Sequence, residues 1–305
     1  MLSICIPIYK QEVSELTNEL HLQAVELSVD AEICLLDDGS DDQSREANRS
    51  LGGLPLVRYE ELARNAGRSR VRNLLAKMAR HPYLLFLDGD TRIIRKDFLK
   101  VYLSHLASGQ VLCGGHVYGD QPADNSLVLH WLVGSKREVR PAAERNKRPY
   151  LSFMTGNFLI QKALFAQLGF RENLEGYGHE DTLFGFDLMK QEAVTRHIDN
   201  PVLHAGLDAA ERFLEKTREG LENLQRTWEL SGRDPRYLDM VRIMRTYQGV
   251  RSLRLCQVLR WIQTKHKAGM ERRLEQTPSL LLFDLYKLTY LCQIMQSHAK
   301  RGLPG

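Results

Sequence analysis

At 305 residues, with 43% hydrophobic and 26% charged residues, the chain has the composition of a soluble globular protein of one large or two small domains. Its net charge of +4 is uneven: from Arg233 onward fourteen Lys/Arg stand against five Asp/Glu, a basic tail suited to a polyanionic partner or an anionic membrane surface. Five scattered cysteines with no Cys-x-x-Cys pair argue against a disulfide framework or a zinc site. The opening residues lack the features of a signal peptide, and the longest apolar stretch, 279–295, is broken by Asp284 and Lys287.

The chain opens on an apolar strand, Leu2 to Tyr9, followed by a helical stretch from Ser14 to Leu27 and a second strand, Ile33 to Leu36. That strand runs into Asp37-Asp38-Gly39-Ser40-Asp41-Asp42, giving a βαβ unit with carboxylates at its functional edge. Arg64-Asn65-Ala66-Gly67 leads into a helix over 68–79 with Val71, Leu74, Leu75 and Met78 on one side. Arg68 and Arg72, four apart, share a face of it. Another buried strand, Tyr83 to Leu87, ends in Asp88-Gly89-Asp90.

Beyond this point the pattern predicts a helix over 96–106, a strand over 110–118, and a mobile basic surface loop over 134–149. A strand over 151–160, a short helix over 162–168 and a helix over 180–190 opening on Glu180-Asp181 follow. After the turn at Asp199-Asn200-Pro201, the chain reads as helical from Ala209 to its end.

Asp88-Gly89-Asp90 carries the most chemistry. Open α/β sheets bind ligands at the carboxyl ends of their strands. Two carboxylates separated by a single residue are costly there unless a cation sits between them. A divalent metal carrying phosphates fits, since Mg²⁺ takes one or two carboxylates plus phosphate oxygens. A solvated Asp-Gly turn fits the same residues.

Taken together, the motifs resemble those of the family 2 glycosyltransferases. The pieces run in order: Ile4-Cys5-Ile6-Pro7-Ile8-Tyr9, Leu36 to Asp42, Asn65-Ala66-Gly67 to Arg72-Asn73, Leu85 to Asp90, Thr155-Gly156-Asn157, and Gly178-His179-Glu180-Asp181. The resemblance covers residues 2–208. It implies an α/β fold, a Rossmann-like GT-A type mixed sheet with flanking helices. Residues 1–208 would form the nucleotide-sugar-binding catalytic domain, and 209–305 a basic α-helical extension.

The resemblance also implies roles. Pro7, Tyr9 and Asp38 would border the base of a nucleoside diphosphate sugar, Asp88 its ribose, and Arg68 its nucleotide. Asp90 would coordinate Mn²⁺ or Mg²⁺, with His204 a further metal ligand or a diphosphate contact. Asp181 would be the base that deprotonates the acceptor hydroxyl in an inverting transfer, and Glu180 would help position the acceptor. The carboxylates also suit plain structural duties: Asp37 and Asp38 a turn and helix-cap cluster, Glu180 and Asp181 a helix N-terminus.

The implied activity is a metal-dependent hexosyltransferase moving a sugar, from a UDP-sugar by default, to a glycan or lipid-linked acceptor in bacterial surface polysaccharide synthesis. No Gln-x-x-Arg-Trp motif follows Asp181, which suggests single transfers rather than processive polymerisation. The setting would be cytoplasmic, and Arg242, Arg245 and Arg260, interleaved with apolar residues, suit peripheral contact with the anionic inner face of a plasma membrane. A helical cap packed on the catalytic domain or a dimer surface fits that segment slightly better. A non-catalytic nucleotide-sugar-binding scaffold and a nucleotidyltransferase are the competing readings. Nucleic-acid binding lacks a recognisable module.

Overall fold

The computed structural model describes residues 1–174 and 176–299. In chain order the elements are β1 (Leu2–Ile8), α1 (Ser14–Glu26), β2 (Ala31–Asp37), α2 (Asp42–Arg49), β3 (Val57–Glu61), α3 (Arg68–Met78), β4 (Tyr83–Leu87), β5 (Thr91–Arg92) and α4 (Phe98–Ser104). Then come β6 (Val111–Cys113), β7 (His116–Tyr118), α5 (Val128–Arg137), α6 (Ala142–Arg145), β8 (Asn157–Gln161), α7 (Lys162–Leu168), α8 (Glu180–Lys190), β9 (Thr195–His197) and β10 (Val202–His204). Five helices end the described residues: α9 (Ala210–Leu230), α10 (Pro235–Met240), α11 (Arg242–Ser252), α12 (Cys256–Gln276) and α13 (Leu280–Ala299).

The chain divides into two compact units. The first comprises Met1–Gly119, Val139–Asn173 and Phe184–Gly206; the second comprises Asp120–Glu138, Leu174–Leu183 and the chain from Leu207 onward. The second unit therefore includes two segments from within the span 1–208.

In the first unit a seven-stranded sheet runs in the order β3-β2-β1-β4-β8-β6-β9. Strands β3, β2, β1 and β4 are mutually parallel, and β8 is antiparallel to both of its neighbours. The fold is thus the expected mixed α/β sheet. Because strand side chains alternate in direction, β1 supplies two cores. Ile4, Ile6 and Ile8 pack with Leu16 and Leu20 of α1 and Phe98 of α4. Cys5 faces the other way, into a cluster with Val71 and Leu75 of α3 and Phe86, Phe158 and Phe184. A small second sheet, β5-β10-β7, adjoins the end of β4 in sequence and carries His204 and Tyr118 at one register position.

Three expectations change. The strand expected over 110–118 is split by Gly114-Gly115 into β6 and β7, which belong to different sheets. A side chain at Gly114 would come within 2.3 Å of Asn157 Nδ2 and 2.4 Å of Asn200 O, and Gly115 has φ of 81°, so only glycine makes this break. The segment 134–149, expected as a mobile basic loop, holds the end of α5 and all of α6. Arg145 of α6 is buried, and its guanidinium donates to the carbonyls of Cys113, Gly114 and Ile198. These strand-end carbonyls take the place of water around the charge. The strand expected over 151–160 is confined to Asn157–Gln161.

The second unit is helical. Leu129 and Val133 of α5, Leu214 of α9, Met270 and Leu274 of α12, and Phe283 and Tyr286 of α13 form its core. Arg218 of α9 bridges to Glu271 at 2.7 Å and to Tyr286 Oη at 2.7 Å, tying three helices together. Among the described residues, no helix is long and apolar enough to cross a membrane.

Candidate active site

The carboxyl ends of β2 and β4 place the acidic clusters side by side, because both strands are parallel to β1 between them. At the end of β2, Asp37 is buried and accepts from Ser40 N at 2.8 Å, which closes the turn. Asp41 caps α2, accepting from Ser44 N at 2.9 Å. The helix-cap reading of this acidic cluster places the cap at Asp37 or Asp38; in the structure Asp41 supplies it.

Asp38 is also buried. Its two oxygens accept from the backbone N–H groups of Ala66 at 2.6 Å and Gly67 at 3.1 Å. Burial pushes this carboxyl up, and the two amide bonds oppose the shift. In the structure the group expected at the base therefore holds the loop that starts α3. Gly39 makes this docking feasible: a Cβ there would lie 2.4 Å from the backbone of Arg64 and Asn65. Pro7 lies near the end of β1 and Tyr9 just beyond it. Tyr9 is exposed with Lys10 Nζ 5.5 Å from its ring centre, and the carbonyl of Pro7 lies 3.2 Å from where a side chain on Gly89 would begin.

The Asp88-Gly89-Asp90 turn is fixed from three sides. Asp88 N donates to Gly156 O at 3.2 Å, Thr91 Oγ1 donates to Asp88 O at 2.7 Å, and Ala205 N donates to Asp90 O at 2.9 Å. Arg72 is 2% exposed, and its Nη2 donates to Asp88 Oδ1. Arg68 Nη2 lies 3.9 Å from Asp88 Oδ2. Burial would push the Asp88 carboxyl up, but the two guanidiniums, Arg72 first, outweigh it and hold the group below its ordinary range.

Asp90 is treated differently. Burial and then the Asp88 charge push its carboxyl up, while His204 and Arg68 oppose them. Its Oδ1 is buried with no hydrogen-bond partner, 3.7 Å from His204 Nδ1. A side chain at Gly206 would begin 2.6 Å from Asp90 Oδ2, so only glycine leaves the carboxylate its place. The Tyr118 ring stands edge-on to His204 and the His116 ring is tilted against it, with ring centres 5.2 and 6.3 Å away.

Among the described residues, no group of three or more His, Cys, Asp and Glu forms a complete metal cage. One carboxylate with an unsatisfied buried oxygen and one imidazole beside it fit a different demand. They suit Mn²⁺ or Mg²⁺ that takes most of its ligands from phosphate and water.

These features, two carboxylates at a strand end with one neutralised by arginine and the other unsatisfied, lie on a stretch that also has a sequence signature. The profile described as Glycosyl transferase family 2 matches residues 3–169. The chain belongs to that family. No match among curated proteins was found.

Solved structures of glycosyltransferases share the GT-A fold. TarS of S. aureus, residues 1–349 in complex with UDP, aligns with a TM-score of 0.56 at 18% identity, covering 99% of this chain and 92% of that one. The mannosyltransferase PcManGT of Pyrobaculum calidifontis, in complex with GDP-Man and Mn²⁺, aligns with a TM-score of 0.55 at 14% identity, covering 98% and 87%. The glucosyl-3-phosphoglycerate synthase of Mycobacterium tuberculosis, with Mn²⁺, UDP and glucosyl-3-phosphoglycerate, gives 0.50 at 16%, covering 74% and 79%. Against a longer TarS chain, this protein spans 38% of that chain's length.

Glu180 and Asp181 open α8 and are counted with the second unit. Asp181 Oδ1 accepts from Thr182 N at 2.6 Å and Thr182 Oγ1 at 3.2 Å, so one of its oxygens is held at the helix start. The preceding His179 has φ of 67°, and burial pushes its imidazole down to about 4, leaving it neutral at pH 7. Gly178 crosses Gly220 of α9 so closely that a Cβ there would lie 2.9 Å from Gly220 Cα.

Sequence reasoning passed over several positioning groups. Asn157 bridges Gly115 O at 2.8 Å and Asn200 O at 2.9 Å, and accepts from Tyr102 Oη at 2.6 Å. Arg145 and Gly206 act through the partners given above. The Gly114-Gly115 pair was the one available signal for this packing. The ion pair between Arg72 and Asp88 had only the i, i+4 spacing from Arg68 to announce it.

Proposed function

We propose that this glycosyltransferase is an inverting, metal-dependent enzyme that moves a hexose from a nucleoside diphosphate sugar to a hydroxyl of a glycan or lipid-linked acceptor. The observation carrying the proposal is the unequal treatment of two neighbouring carboxylates. Asp88 is ion-paired and kept charged, whereas Asp90 keeps a buried oxygen without a hydrogen-bond partner beside His204. Asp90 and His204 would hold Mn²⁺ or Mg²⁺, which when bound offsets the charge that builds on the diphosphate leaving group.

The remaining roles belong to the chain's own groups. Asp38 holds the 64–67 loop, and through it the start of α3 with Arg68, in place for the nucleotide. Pro7 and Tyr9 border the base. Asp88, locked by Arg72, presents a fixed carboxylate toward the ribose. Asp181 takes the proton from the acceptor hydroxyl as it attacks the anomeric carbon, and Glu180 orients the acceptor. The nucleotides bound in similar solved structures, UDP, UDP-GlcNAc and GDP-Man, make a UDP-sugar the first donor to try. Surface polysaccharide synthesis on the cytoplasmic side of a bacterial membrane is the setting this reading favours.

The test is a thermal-shift screen of nucleoside diphosphates and nucleotide sugars with Mn²⁺, Mg²⁺ or chelator, followed by turnover assays. Support requires a metal-dependent shift with one donor that Asp90→Ala abolishes. It also requires Asp181→Asn to keep that shift while kcat falls about 10²–10⁴-fold. Absence of a shift with every donor and metal refutes the donor site. A shift and turnover untouched by Asp181→Asn removes that residue as the base.

A further inference from the structure

The helical unit carries a surface that the transfer reaction does not use. Residues 240–270 contain seven Lys/Arg and no Asp or Glu. Within this stretch α11 turns Met244 and Tyr247 inward, so the apolar residues interleaved with Arg242 and Arg245 are partly core. The apolar residues that face water lie farther along. Leu253 and Leu255 sit in the turn between α11 and α12, and Val258 and Trp261 follow on the first turns of α12; Leu253 is 70% exposed and Trp261 57%.

The pattern is directional. Gln263, Met270 and Leu274 are the buried positions of α12. Val258, Trp261, Lys265, Ala268 and Arg272 recur at three- and four-residue spacing on the opposite face, and all are exposed. That face is apolar at the turn end and basic beyond it. Arg251 and Arg254 flank the turn and are also exposed. The turn is held in shape: Arg254 has φ of 58°, Leu253 N donates to Gly249 O at 3.1 Å, and Leu255 N donates to Val250 O at 3.1 Å. A pre-shaped apolar tip costs little ordering entropy when it is buried.

An exposed Trp and two Leu at one tip, flanked by the exposed cations Arg251, Arg254 and Lys265, match one solvent better than any other. Tryptophan and leucine partition into the region between lipid headgroups and acyl chains, and Lys/Arg add attraction to anionic headgroups. A polyanion in solution would use the cations and leave the Leu and Trp side chains in water. A second copy of this chain would bring the same positive charge to the contact, which costs energy without acidic partners.

We infer that the α11–α12 turn, with Leu253, Leu255, Val258 and Trp261 inserted and Arg251, Arg254 and Lys265 at the headgroups, docks this protein on an anionic lipid bilayer. The docking belongs to the helical unit and stands independently of the transfer reaction. It would bring the enzyme to acceptors that are lipid-linked.

The experiment is co-sedimentation of the full chain with vesicles of phosphatidylcholine, alone or mixed with phosphatidylglycerol. The expected result is partitioning onto the mixed vesicles at least about tenfold stronger than onto neutral ones, weakened by salt. Leu253→Ser with Trp261→Ser should lower binding to the mixed vesicles at least about tenfold. Arg251→Glu with Arg254→Glu and Lys265→Glu should remove the dependence on phosphatidylglycerol. Brominated lipid should quench tryptophan fluorescence in the unmodified chain, a readout that needs no variant to fold. Trp261 is the exposed tryptophan that this measurement reports.

Failure of the unmodified chain to bind mixed vesicles overturns the inference, as does binding by both variants equal to that of the unmodified chain. Binding to soluble polyphosphate without binding to vesicles assigns the cations to a soluble polyanion instead. A dimer that becomes monomeric in the Leu253→Ser, Trp261→Ser variant, with vesicle binding unchanged, makes the tip a contact between copies.

Discussion

Replacing Arg72 by Met tests the electrostatic logic of the site directly. The Arg72 side chain is 2% exposed and pairs with Asp88, whose side chain is 22% exposed. Arg72 Nη1 also donates to Arg68 O at 3.1 Å, and the guanidinium stands 5.8 Å from the centre of the Phe170 ring. Met fills much of the same volume but leaves Asp88 with Arg68 at 3.9 Å as its remaining cation. Stranding one member of a buried ion pair costs 3–5 kcal/mol, and the residual exposure and Arg68 put this case near the low end, about 3 kcal/mol. For a unit of this size that corresponds to a fall in Tm of roughly 6–12 °C. Asp88→Asn in the same chain removes the stranded charge, so the double variant should melt higher than Arg72→Met by itself. Scanning calorimetry of the wild type, both single variants and the double variant closes the cycle. A loss below about 1 kcal/mol for Arg72→Met, or equal melting of the Arg72→Met and double variants, would refute the claim that the pair neutralises Asp88.

Three further outcomes follow from the same geometry. Asp90→Asn should leave the Tm of the ligand-free protein unchanged or higher, because the charge it removes is buried and unsatisfied, yet should abolish any Mn²⁺-dependent stabilisation by nucleoside diphosphate; differential scanning fluorimetry reads both. Gly206→Ala places a methyl group 2.6 Å from Asp90 Oδ2 and should weaken the Mn²⁺ response by about tenfold or more in a metal titration, while Gly53→Ala, which meets nothing within 4 Å, should not. His197 accepts from Arg145 Nη1 at 2.8 Å at one ring nitrogen, and the other lies 2.9 Å from Pro149 O, so the bonded form is neutral. Burial holds it at about 4, against about 6.5 for a free imidazole. The unfolded chain therefore binds the proton first as pH falls: this contribution is complete above about pH 6.5 and is lost progressively toward pH 4, by a few kcal/mol at most. Melting curves across that range should show the loss in wild type and a shallower slope in His197→Gln; equal slopes would assign the acid sensitivity elsewhere.

Much of the fold was legible because it depends on short-range patterns. The apolar runs of β1, β2 and β4 carry their own length and boundary signals, and the 68–78 and 180–190 helices declare themselves by periodicity and by their opening residues. The strands' polar endings, Asp37-Asp38 and Asp88-Gly89-Asp90, marked the functional edge, since carboxylates directly after a buried strand need a partner. The 110–118 strand was misread because a glycine pair inside an apolar run looks like a tolerated interruption. Only the neighbouring Asn157 and Asn200 show that it is a forced break.

Which carboxylate does what was decided by tertiary structure. Sequence places Asp88 and Asp90 two residues apart with identical chemistry. Packing gives one of them Arg72 and the other an unsatisfied oxygen beside His204. Likewise, Arg145 reads as one more cation in a basic stretch until the strand-end carbonyls around it turn it into a buried strut. The sequence by itself determined most of the element types, the family and the acidic edge, because hydrophobic periodicity and turn chemistry act over a few residues. The charge state of each acid, the burial of each arginine and the exposure of the Leu253–Trp261 tip depend on side chains distant in sequence. Electrostatic and desolvation energies are set by those neighbours, and only the folded chain brings them together.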